Sequence, residues 1–150
     1  MRKRRWAGLV GVGAVLLAVV LLGVWPESPS SYRSTVESSV QDAVSAVGTA
    51  RLTAQSALSG NTFGAYESTA LEDVGDNLTT AVTDVIELPP TDQDTRRLRD
   101  EVLPPLQDSA RIVGDLDLAI QNDDRDAINA CVAGLTAVGD RLATTLERLR

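Results

Sequence analysis

The chain has no histidine, one cysteine (Cys131), one lysine (Lys3) and only five aromatic residues among its 150. Each shortage removes a class of chemistry. Without histidine there is no Ser-His-Asp or Cys-His arrangement, and the usual zinc and di-iron ligand sets are missing. Without a lysine beyond residue 3, the remainder can form neither a Schiff base nor a Ser-Lys pair. A single cysteine cannot build an intramolecular disulfide framework. No Walker or dinucleotide glycine motif occurs. No segment alternates in the manner of a strand. A non-enzymatic, all-helical protein without a cofactor is expected.

What is present is most specific in the first 25 residues. Arg2, Lys3, Arg4 and Arg5 are followed by Trp6, an apolar and glycine run from Ala7 to Val24, and Trp25. Eighteen residues at about 1.5 Å each span roughly 27 Å, close to the hydrocarbon core of a bilayer. An indole at each end suits the two interfaces, and the basic cluster stays cytoplasmic by the positive-inside rule. Gly8, Gly11 and Gly13 leave a small-residue face of the kind that pairs membrane helices, although glycine is also simply common there. The alternative is a cleaved signal peptide and a secreted helical protein. Against it, the apolar run exceeds a typical signal core and no A-x-A-like site follows. Arg4-Arg5 is not continued as a twin-arginine signal. The expected organisation is a cytoplasmic tail at 1–6, a transmembrane helix at 7–25, a Pro/Ser linker at 26–31 and an extracytoplasmic bundle at 32–150.

Charge then separates the two parts. The whole chain carries −7, and the first 25 residues hold four cations and no anion, so residues 26–150 carry −11. That argues against nucleic acid, whose phosphates need basic patches, and against lying flat on anionic lipid. It favours basic or neutral partners. Arginine in place of lysine suggests a GC-rich bacterial source.

After the linker, apolar residues recur at helical spacing throughout. The first helix is expected over Ser34–Leu58, capped by Ser34 with Glu37, with Val36, Val40, Ala43, Val44, Val47, Ala54 and Leu58 inward. The second runs over Thr62–Leu88, with Phe63, Tyr66, Ala70, Val74, Leu78, Ala81, Val82, Val85 and Ile86 inward, and stops at Pro89-Pro90. Thr91 caps the third, whose stripe is Leu98, Val102, Leu106, Ile112, Val113, Leu116 and Ile120. Pro104-Pro105 should kink or break it. Asn122-Asp123-Asp124 turns into the fourth helix, with Ile128, Cys131, Val132, Leu135, Val138, Leu142, Leu146 and Leu149 inward. Four such segments joined by short turns make an antiparallel up-down-up-down bundle following one transmembrane helix. Lone glycines at 48, 64, 75, 114, 134 and 139 suggest close packing.

Candidate sites are few. Glu72, Asp73 and Asp76 form an acidic patch on the second helix, read either as a solvated face or as a docking face for a basic partner. Asp115, Asp117, Asp123, Asp124 and Asp126 cluster near the last turn, but no EF-hand glycine or bidentate glutamate follows in register, so capping is the better reading. Arg96, Arg97 and Arg99 sit among Asp92, Asp94, Asp100 and Glu101 at salt-bridge spacing. Cys131 falls on an apolar stripe, as a buried thiol or as one half of an intermolecular disulfide. Asn77-Leu78-Thr79 is a chance sequon inside a helix.

The expected protein is therefore a single-pass membrane module that binds or scaffolds another membrane or extracytoplasmic protein, with an accessory subunit of a membrane complex as one form of that role. A ligand-sensing bundle is the alternative, disfavoured by the short cytoplasmic tail and the thin core. Arg2, Lys3, Arg4, Arg5, Trp6 and Trp25 are the expected anchor residues. Intact mass of the protein from native membranes should retain residues 1–29; a mature N-terminus near residue 30 would replace the anchor by a signal peptide.

Overall fold

The computed structural model describes residues 28–60 and 64–150. Four helices and no strand occur among them: α1 Pro29–Ser59, α2 Gly64–Glu87, α3 Gln93–Gln121 and α4 Arg125–Leu149. The expected anchor residues, the apolar span and Phe63 lie outside the described residues. Among the described residues, no helix is long and apolar enough to cross a membrane.

The helix ends follow capping chemistry, with two shifts from expectation. α1 starts five residues before Ser34. Ser28 is its N-cap, accepting from the Ser31 amide at 3.2 Å, and Pro29 occupies the first turn. Proline costs nothing there because that amide has no helical acceptor. Residues 29–31, which read as linker, are thus helix. Gly60, at φ 68°, closes α1 in the left-handed conformation that glycine adopts without strain. α3 is capped by Asp92 rather than Thr91. The Asp92 carboxylate accepts from the Thr95 amide at 2.8 Å, and the Thr95 hydroxyl accepts from the Asp92 amide at 3.0 Å. The bond from the Thr95 amide, and after it one the Thr95 hydroxyl donates to the same carboxylate at 2.9 Å, hold the Asp92 carboxyl below the usual carboxylate range. Asp124 caps α4 through the Ala127 amide, as the turn sequence predicts.

α3 continues through Pro104 and Pro105 without a break. Each proline removes a donor to the carbonyl four residues back. Those carbonyls belong to Asp100 and Glu101, both exposed residues. Pro105 itself is buried, and its carbonyl accepts from the buried Ser109 hydroxyl at 2.8 Å. Packing therefore outweighs the local rule.

Sequence neighbours pack antiparallel. Arg33, at the start of α1, donates to the Arg148 and Leu149 carbonyls at the end of α4, and Arg125, at the start of α4, donates to the Leu58 carbonyl at the end of α1. Arg148 pairs with Glu101 and Arg141 with Asp108, which sets the α3–α4 register. The backbone of α1 approaches all three other helices, whereas those of α2 and α4 stay apart. The cross-section is thus a rhombus with α1 and α3 on its short diagonal. α1 permits this because between Ser39 and Ala54 it buries nothing larger than valine: Ser39, Val40, Ala43, Ala46, Val47, Ala50 and Ala54. Leucines from the others fill the core, among them Leu71, Leu78, Leu106, Leu116, Leu135 and Leu142.

Most of the predicted stripe positions recur in the core among the described side chains, Tyr66 lying outside them; Tyr32, Ala46, Ala50 and Ala119 are buried in addition. Leu71 is buried, and Ile86, expected inward, is 51% exposed. The glycines divide. A Cβ at Gly134 would meet Ile112 at 3.2 Å and one at Gly139 would meet Val47 at 3.2 Å, so these two sit in close seams. Gly48, Gly75 and Gly114 face open space, and close packing fails as their explanation.

Leu116 is fully buried and Leu118, two residues on, is 58% exposed. Leu116→Ala should cost about 2–5 kcal/mol by denaturant unfolding. Leu118→Ala should stay within about 0.5 kcal/mol of wild type.

Candidate functional site

The charge of the bundle is unevenly distributed. α2 contains Glu67, Glu72, Asp73, Asp76, Asp84 and Glu87 and no arginine or lysine. On α3 the carboxylates have cationic neighbours: Asp94 meets Arg97 at 3.4 Å, Asp100 meets Arg99 at 3.8 Å, and Asp115 meets Arg111 at 3.0 Å. Asp108 lies between Arg111 at 3.7 Å and Arg141 of α4 at 3.9 Å. The expected ion-pair reading of Arg97 and Arg99 matches these distances. Glu72, Asp73 and Asp76 are exposed and form no ion pair among the described residues. Glu67, one turn earlier, is buried.

The three carboxylates do not form one patch. Successive residues on a helix are about 100° apart, whereas residues four apart are nearly in line. Glu72 and Asp76 therefore share the side of α2 towards α3. They line a groove of about 470 Å³ together with Leu71, Gly75, Val113 and Gly114. Asp73 turns to the other side, into a groove of about 410 Å³ between α1 and α2 that also holds Asp42 and Asp84. No arginine or lysine lines either groove. α2 is thus an acidic ridge between two unneutralised grooves.

A third groove, of about 480 Å³, lies at the end of the bundle where α1 and α3 begin and α4 ends. Sequence reasoning missed it because its walls come from three distant segments. Arg33, Arg148, Asp92, Asp94 and Glu101 line it with Leu98 and Leu149. Its charges are already engaged: Arg33 on the α4 carbonyls, Arg148 on Glu101, Asp94 on Arg97 and Asp92 on Thr95.

Three of the five aspartates near the last turn have partners within the bundle. Asp117 accepts from the Gln121 amide at 2.6 Å, Asp115 pairs with Arg111, and Asp124 caps α4. No group of three or more potential metal ligands converges among the described residues. Cys131 is a free, half-buried thiol on α4. Tyr32 is fully buried, and its hydroxyl has no partner among the described residues. Burial raises its pKa, with Asp100 adding and Arg99 opposing.

No family model, curated protein or solved structure matches the chain.

Burial, reinforced by Asp115 and opposed by Arg111, pushes the Cys131 thiol above the ordinary cysteine value. Alkylation of the folded protein should therefore be slower than that of the unfolded chain, with its rise displaced to higher pH. A rise at lower pH than in the unfolded chain would show an activated thiol.

Proposed function

We propose that the chain is a single-pass, membrane-anchored extracytoplasmic bundle that holds a basic segment of another membrane or extracytoplasmic protein against α2. It acts by contact, as a scaffolding or accessory subunit, and performs no catalysis. The observation that carries this reading is the unpaired acidic ridge of α2 beside an α3 whose charges are largely neutralised in place. A helix with several carboxylates and no cation raises its own electrostatic energy. A basic partner relieves that repulsion and is steered to the ridge.

The anchor is part of the reading. Trp25 lies three residues before Ser28, the cap of α1. Three extended residues reach about 10 Å, which would hold the start of α1, the end of α4 and the 88–92 connection close to the outer surface. In this arrangement the bundle leaves the membrane along α1, goes up-down-up-down, and bends α3 at Pro104-Pro105. The acidic ridge then stands beside the bilayer, placed for the extracytoplasmic part of a membrane neighbour.

Full-length protein purified from native membranes in mild detergent should carry a specific partner. A Glu72→Lys/Asp73→Lys/Asp76→Lys variant with unchanged helical circular dichroism should lose it. Salt that shortens the Debye length from about 10 Å to about 3 Å should weaken the complex. A solitary protein at low salt, or a partner kept by the triple variant, would refute the proposal.

A further inference from the structure

We infer that the α2–α3 groove seats a basic α-helix of the partner, with Gly75 and Gly114 providing the close approach. This rests on α2 being the docking face, and it selects one of its two sides.

The first argument is the cost of the glycines. Glycine in a helix interior is less favourable than alanine by about 1 kcal/mol, because it loses more backbone freedom on folding. Gly134 and Gly139 have a reason inside the bundle, since a methyl group at either would press on a neighbour at 3.2 Å. Gly75 and Gly114 have no such reason: a Cβ at either meets nothing within 4 Å. They come from different helices and line the same groove. The missing side chains leave that groove open for something outside the bundle.

The second argument is charge and shape. The groove follows α2 from Ser68 to Thr79 and α3 from Ala110 to Gln121. Twelve helical residues cover about 16–18 Å, or three turns. Glu72 and Asp76, one turn apart and without ion-pair partners among the described residues, line one wall, and Asp117 lies on the other. A helix with arginine or lysine every fourth residue places one cation opposite each α2 carboxylate. Leu71 and Val113 give it an apolar contact between them.

The third argument concerns the backbone of the occupant. No strand occurs among the described residues, so they offer an extended peptide no sheet edge for its N–H and C=O groups. A helix satisfies those groups internally and lies in a shallow groove at little cost. The α1–α2 groove is less suited: Ser45, Thr49, Asn77 and Thr80 line it, and no glycine does.

The test uses the full-length chain in detergent and an alanine-based helical peptide with arginines four apart, titrated by fluorescence anisotropy. A peptide of the same charge, broken by central prolines, is the comparison. Gly75→Ala/Gly114→Ala should raise Tm, since the new methyl groups enter open space, and should weaken helical-peptide binding. Gly75→Leu/Gly114→Leu should weaken it at least about tenfold. Gly48→Leu, on α1 with open space above it, should leave binding unchanged. Equal binding of the broken peptide, undiminished binding by either double variant, or no binding by wild type would overturn the inference. If the α2 charge reversals abolish partner binding while the glycine variants do not, the docking face stands and the groove seat fails. If neither set has an effect, both readings fail.

Discussion

The approach of α1 to α3 across the bundle is the constraint on which the other contacts depend. A four-helix bundle with equal sides would leave a central channel for large side chains to fill. Here the central stretch of α1 buries only alanine, valine and serine, and α3 moves in across the short diagonal. The leucines of α2, α3 and α4 then pack around a slim post. The backbones of α2 and α4, at the ends of the long diagonal, stay apart. That leaves α2 bound only by its flanks to α1 and α3, with its outer ridge and both adjoining grooves open.

Much of this was legible from periodicity. The inward stripes of α1, α3 and α4 recur in the core, because burial on a helix repeats every three or four residues whatever the helix packs against. The misses have separate causes. Ser34 and Glu37 satisfy a capping pattern, but Ser28 followed by Pro29 satisfies the stronger demand of an unbonded first turn. Proline composition made residues 29–31 look like linker when it marked a helix start. Of the kink or break expected at Pro104-Pro105, the break does not occur, and the helix continues with Pro105 buried. Ile86 fits the period and still faces water, one position past the fully buried Val85.

The candidate site was legible in composition and not in shape. Glu72, Asp73 and Asp76 are close in the chain, so they read as one patch, yet helical rotation assigns them to opposite grooves. The division between neutralised and bare carboxylates depends on which arginines the fold brings near. Asp108 gains Arg141 only because α4 folds back along α3. Helical glycines give the same signal whether they face a neighbour or a void. That distinction needs the opposing helix in place.

The two arginines that bridge α1 and α4 have a mechanical consequence. Each sits at the start of one helix and holds the last carbonyls of the other, so this seam is latched at both ends. Tension applied at residue 28 passes through less than two turns of α1 before Arg33 transfers part of it to the C-terminal end of α4. The load then divides between two helices, in shear along a packed seam, which resists far better than peeling. α2 takes no part in either latch, while α3 meets the same end of α4 through Glu101 and Arg148. A domain tugged from its first helix would keep its acidic ridge in shape while the strain passes behind it.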